Sequence, residues 1–122
     1  MYRLNIITSF AAAHCLINYQ GDCENLHGHN WKIEVAVTAS ELDNAGLAVD
    51  FKVLKHETNT FLKTLDHKYL NQLPEFLNMS PSSENLSRYI YKELSPKLNN
   101  DNIKLVMVTV WESDFASASY YE

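Results

Sequence analysis

Basic side chains are scarce in this chain: ten Lys and Arg stand against fifteen Asp and Glu in 122 residues, a formal net charge of −5. Nucleic-acid binding depends on cations that neutralise phosphates, so general nucleic-acid recognition is excluded. An anionic small molecule stays compatible if a few cations are gathered in one cleft. Cysteine is scarcer still, and two are too few for a disulfide scaffold. Nor does any apolar stretch approach the roughly 20 residues that cross a bilayer. The opening MYRLNIITSFAAAHCL imitates a secretion signal, but Asn5, Thr8 and Ser9 interrupt its apolar run and Arg3 is a poor charged region. It reads as mature sequence. Repeats, linkers and low-complexity tracts are missing too. The expectation is a single domain over residues 1–122, soluble and cytoplasmic, with neither a membrane nor a nucleic acid as partner.

Hydrophobic residues make up 46% of the chain, enough for one core. Tyr2, Leu4 and Ile6 alternate with Arg3 and Asn5, which predicts a half-buried strand over residues 2–10. Asn18, Gly21, Asp22 and Asn25 mark a loop, after which Trp31, Ile33, Val35 and Val37 share one face of a second strand that starts near His29. An antiparallel hairpin follows from two strands so joined. Asp43-Asn44-Ala45-Gly46 predicts a turn, and Phe51, Leu54, Thr58, Phe61, Leu62 and Leu65 form the stripe of a first helix with Asp50 near its N-terminus. Ser80-Pro81 predicts the cap and first position of a second helix carrying Leu86, Ile90 and Leu94. IKLVMVTVWES reads as a buried strand and ASASYYE as a short final one, turned back at Ser113-Asp114. The order β-β-α-α-β-β predicts an α+β fold, an antiparallel four-stranded sheet with both helices on one face. If the other face is apolar, oligomerisation is the natural way to cover it.

The histidines carry the chemistry. His27 and His29 in an extended chain point to one side, so they offer two imidazoles to one point. His14 lies just past the end of the first predicted strand, and the hairpin brings it beside the pair. Three neutral imidazoles without a fourth protein ligand match a catalytic zinc, whose open position takes water or substrate. Gly28 between the pair allows close approach of the backbone. Two surface histidines and a satisfied core histidine are the bland alternative. His56 falls on the polar side of the first helix and has no assigned role.

Cys23 sits on the loop that closes over this point, where a cation and an imidazole would ease ionisation of the thiol to a base or nucleophile. A buried inert thiol, or a disulfide with Cys15, is the alternative. Asp66-His67 is a carboxylate beside an imidazole, suited to general acid-base work, although sequence neighbours often face apart. Glu112 closes an apolar strand, either to mark its end in solvent or to bind an N–H pair bidentately.

Taken in order, FAAAHCL, CENLHGHNW, GLAVDF followed by LK, LDHKYLN, SPSSENL and VWES resemble the 6-pyruvoyltetrahydropterin and 6-carboxytetrahydropterin synthase family over nearly the whole chain. The resemblance implies the T-fold, whose sheets join into a barrel-like trimer, with two trimers commonly stacking as a hexamer. It implies zinc on His14, His27 and His29, Cys23 as catalytic thiol with Asp66 and His67 as acid-base pair, and Glu112 as the carboxylate that anchors a pterin. Ser82 and Ser83 fall in the segment bordering the pterin, and Ser113 replaces a frequent threonine. The short Cys-x-x-x-His-Gly-His interval is similar to the queuosine-pathway branch. That branch converts 7,8-dihydroneopterin triphosphate to 6-carboxy-5,6,7,8-tetrahydropterin, releasing acetaldehyde and triphosphate. Glu24 keeps a second possibility open, since some relatives use glutamate in place of the thiol and release a hydroxymethylpterin for folate synthesis. A pyruvoyl-forming synthase and a metal-stabilised pterin-binding module are the remaining alternatives.

Overall fold

The structure, a computed structural model, describes residues 1–20 and 25–122. Strand β1 (Tyr2–His14) pairs residue for residue with β2 (His27–Ala39), from Tyr2 opposite Ala39 to His14 opposite His27. Period-two alternation drives this: Ile6, Phe10, Ala12 and His14 of β1 and Trp31, Ile33, Val35, Val37 and Ala39 of β2 are buried on one face. The predicted first strand is four residues too short. Ala11, Ala12 and Ala13 carry little β signal, and it is pairing with β2 that carries the strand through His14.

Helix α1 (Phe51–Leu62) begins at Asp50, whose carboxylate accepts the Lys52 N–H at 2.8 Å. Leu54, Thr58, Phe61 and Leu62 face the core, whereas Phe51, expected on the same stripe, is 53% exposed at the helix start. Leu65 is buried just beyond the helix end. Next comes a two-residue strand, β3 (Lys68–Tyr69), which lies parallel to β1 at Ala12 and Ala13. The sheet therefore has five strands rather than four and is not wholly antiparallel; two residues leave no periodicity to read.

Helix α2 (Ser83–Leu98) starts two residues later than the Ser80-Pro81 signal suggests. Ser80 Oγ is occupied by the backbone of Ile17, accepting its N–H at 2.8 Å and donating to its carbonyl at 3.0 Å, so Ser82 becomes the cap and accepts the Asn85 N–H. Pro96 stands inside the last turn. Strands β4 (Lys104–Ser113) and β5 (Ala116–Tyr120) complete the sheet in the order β3-β1-β2-β4-β5. Both helices meet the buried face, where Leu54, Phe61, Leu86, Ile90 and Leu94 pack against Ile33, Val35, Val108 and Val110.

The opposite face is polar, not apolar as the runs in β2 and β4 suggest. Cross-strand pairs there are Arg3 with Thr38, Ser9 with Lys32 and Glu34 with Thr109, and Lys32 Nζ lies 4.3 Å from the Trp111 ring centre. The apolar residues of β4 divide between the faces, with Val108 and Val110 taken by the core. Because the core is single and closed by α2, replacing fully buried Leu86 by Ala should cost about 2–5 kcal/mol. Urea denaturation of the purified protein measures this; an unchanged midpoint would contradict the packing.

Candidate metal centre and active site

The hairpin register places the three histidines. His14 lies opposite His27, and His29 lies opposite Ala12, so all three rings share the helix-covered side at one end of the sheet. Trp31 forms their floor, its ring centre 4.8 Å from that of His14 and 5.0 Å from that of His29, both edge-on. Two rings are held by backbone carbonyls: His14 Nδ1 lies 2.8 Å from the Pro81 oxygen, and His27 Nδ1 2.8 Å from the Asn25 oxygen. A carbonyl can only accept, so each Nδ1 carries the proton and each Nε2 presents its lone pair. Those two Nε2 atoms stand 3.0 Å apart. Two lone pairs at that distance repel unless they share a cation.

Glu112 adds a fourth acceptor. Its Oε1 is 2.9 Å from His29 Nε2, 3.6 Å from His14 Nε2 and 4.0 Å from His27 Nε2. His29 Nε2 is buried yet makes no hydrogen bond, because that oxygen lies off the donor direction. The four donor atoms lie within 4.8 Å of one another and can hold a metal ion. Nitrogen and carboxylate oxygen donors suit a divalent transition metal better than calcium or magnesium, which favour oxygen alone. The sequence reading supplies no fourth protein ligand; the structure presents one.

Asp66 and His67, although neighbours in sequence, do face each other, with His67 Nδ1 2.9 Å from Asp66 Oδ2. The backbone makes this possible: His67 adopts φ 58°, a left-handed conformation held by its N–H bond to the Ala11 carbonyl. Asp66 Oδ1 accepts the Ala11 N–H at 2.9 Å, which ties the pair to β1. The His67 side chain is 82% exposed and, with His29, lines an open depression of about 540 Å³ formed by residues 11–13, 28–30 and 67–69. Glu112 borders a different depression, about 390 Å³, together with Ser83 and Ser117. Of the two serines expected near the ligand, Ser82 serves as helix cap and Ser83 lines this second space.

Cys23 and Glu24, and with them the disulfide alternative, lie outside the described residues. Cys15 packs as expected, 3% exposed with its Sγ 3.4 Å from the Tyr69 hydroxyl. A Cβ on Gly28 would meet only the Ala12 carbonyl oxygen, at 3.7 Å, so space does not demand glycine there. His56 is exposed on α1. Sequence reasoning missed the supports. Asn71 clamps both backbone groups of Cys15, accepting its N–H at 2.9 Å and donating to its carbonyl at 2.8 Å, and the carbonyls of Pro81 and Asn25 orient the rings. Asn71 stands within LDHKYLN, which was a signal of place but not of partner; a carbonyl carries no sequence signal at all.

Burial is the largest influence on His29 and holds its pKa below the ordinary histidine value, partly opposed by the Glu112 carboxylate, so the ring is kept neutral as a ligand must be. The Ala11 N–H holds the Asp66 carboxyl below its ordinary value, with His67 helping. A carboxylate lowered in the folded state adds stability above its unfolded pKa and loses it as pH falls through the folded one. The stability difference between the protein and its Asp66→Asn variant should therefore be full at pH 5 and shrink toward pH 3; a difference constant over that range would contradict the bond. His27→Ala removes one of the paired lone pairs and should strip bound metal from the purified protein, as measured by elemental analysis, whereas full occupancy would refute the site.

Fold and site together define a class: an α+β protein with three imidazoles and a carboxylate gathered at the end of its sheet and an acid-base pair bordering the next depression. The sequence pattern of the 6-pyruvoyl tetrahydropterin synthase family matches residues 3–122, and the chain belongs to that family. The 6-carboxy-5,6,7,8-tetrahydropterin synthase of Synechocystis is 38% identical over 92 residues, covering 70% of this chain and 69% of its own. A protein of Archaeoglobus fulgidus provisionally named for the same activity is 35% identical over 113 residues, 93% of this chain and 91% of its own. Among solved structures, 6-pyruvoyl tetrahydropterin synthase of Caenorhabditis elegans superposes with a TM-score of 0.84 at 28% identity, over 99% of this chain and 95% of that one. No helix is long and apolar enough to cross a membrane, among the described residues.

Proposed function

We propose that this protein is a zinc-dependent 6-carboxy-5,6,7,8-tetrahydropterin synthase acting in queuosine biosynthesis. It takes 7,8-dihydroneopterin triphosphate and water to the carboxytetrahydropterin, acetaldehyde and triphosphate. The observation that carries the reading is the convergence of His14 and His27 Nε2 lone pairs at 3.0 Å with His29 and Glu112 beside them. Relatives named for the 6-carboxy product and the short Cys-x-x-x-His-Gly-His interval favour this branch over the pyruvoyl-forming and folate-type ones.

Zinc held by His14, His27 and His29 supplies Lewis acidity, which lowers the pKa of a hydroxyl brought to it. The protein's own groups do the rest. Cys23 removes a proton from the substrate side chain, and His67 moves protons while Asp66 fixes its tautomer through Nδ1, leaving Nε2 for the substrate. Glu112 binds the pterin through its N–H pair, with Ser83 bordering the ring in the same depression.

His67 is exposed on β3 at one sheet edge, while β5 forms the other. Beyond Ala12 and Ala13 the outer side of β1 carries no strand partner, so copies can join edge to edge into a closed ring. A trimer or hexamer, expected from the family resemblance, suits those edges. The working compartment is the cytoplasm.

Incubation with 7,8-dihydroneopterin triphosphate and mass analysis of the product tests the reaction. Carboxytetrahydropterin is expected; pyruvoyltetrahydropterin, hydroxymethyldihydropterin or unaltered substrate would each assign a different function, the last an idle binding module. Proton transfer by a placed group is worth about 10²–10⁴-fold, so Cys23→Ala should lose turnover by that order while keeping zinc and pterin binding. Turnover at the unaltered rate would remove Cys23 from the chemistry.

A further inference from the structure

Glu112 stands where two tasks compete. Pterin binding asks both of its oxygens to face an N–H pair, yet Oε1 stands among the three Nε2 atoms. Four ligands at zinc bond lengths of about 2.0–2.1 Å in a tetrahedron stand about 3.3–3.4 Å apart. The separations here, 2.9, 3.0, 3.6 and 4.0 Å, straddle that value. We propose that Glu112 is the fourth metal ligand of the resting protein, and that an incoming pterin withdraws it, opening the position at which the substrate side chain then binds. The proposal rests on the metal reading above and adds a second state to it.

Three features favour such an exchange. His29 Nε2, 2.9 Å from the carboxylate and off its hydrogen-bond direction, is placed as a fellow ligand rather than as a donor to it. The carboxylate is 38% exposed and borders the depression shared with Ser83, so it can reach solvent-side ligand without repacking of the core. The register between β4 and β5 shifts between Trp111 and Ser113, a bulge that aims Glu112 independently of the regular ladder. Charge argues the same way: three neutral imidazoles leave a divalent ion uncompensated, and one carboxylate halves that charge until a ligand arrives. Recognition of the ring and opening of the metal become one event, so the metal is exposed only where a pterin is seated.

Cobalt(II) loaded into the full-length apoprotein reports its ligands by visible absorption. Glu112→Gln should bind cobalt at least as weakly as the roughly 10–100-fold loss seen on removing an outer-shell partner, with an altered spectrum. Glu112→Asp, which keeps the charge but shortens the reach, should shift in the same direction and serves if the Gln variant does not fold. Saturating 7,8-dihydroneopterin, its binding followed by fluorescence, should alter the cobalt spectrum of the unsubstituted protein. Cobalt affinity and spectrum unchanged in both variants would overturn the fourth-ligand assignment, and an unchanged spectrum with pterin bound would overturn the exchange. Failure of the metal reading itself is separate, since His27→Ala would then also keep its cobalt.

Discussion

Two backbone carbonyls set the chemistry of this protein. By accepting from Nδ1 of His14 and His27, the oxygens of Pro81 and Asn25 dictate which nitrogen of each ring is bare. Those bare nitrogens face each other across 3.0 Å above the edge of Trp31, an arrangement that neutral imidazoles hold comfortably only around a shared cation. Everything else at this end of the sheet answers to that arrangement. Ser80, bound to both backbone groups of Ile17, delays the start of α2 and so brings the Pro81 carbonyl over His14. The altered helix start and the ring orientation have one cause.

The sheet also separates labour. Its helix-covered side ends in the metal donors, while its edge carries Asp66 and His67, joined to β1 through the two backbone groups of Ala11. A left-handed residue without a glycine is uncommon, and His67 keeps that conformation because its N–H, its ring and the preceding carboxylate are all engaged at once. Strain held this way orients a side chain that is otherwise open to solvent. The backbone of β1 between the two sites is rigid by pairing, so their spacing is set by the strand and not by side-chain packing.

Much of the fold was legible as pattern. Alternation in residues 2–10 and 31–37, the stripes of Leu54, Phe61, Leu86, Ile90 and Leu94, and the caps of turn chemistry each express a local preference that the core reinforces. What escaped was non-local. A two-residue strand exists because Ala12 and Ala13 offer an edge to it, and the cap of α2 moved because a residue sixty positions earlier in the chain took Ser80. The open face misled for a related reason: a run such as that in β4 reads as buried on both sides, although the sheet places Thr109 against Glu34 and Lys32 against Trp111.

At the metal centre the division is sharp. Period two alone puts His27 and His29 on one side, and a hairpin alone brings His14 to them, so three donors were determined by residue order and strand geometry. The family membership followed from motifs in order. Only the tertiary structure decided that Glu112 joins the three rings, that Asp66 grips the Ala11 amide and the His67 ring together, and which nitrogens are bare. Strand periodicity is written in neighbouring residues, whereas a carboxylate eighty positions from its imidazole, or a carbonyl oxygen common to every residue type, acquires its partner only when the sheet closes.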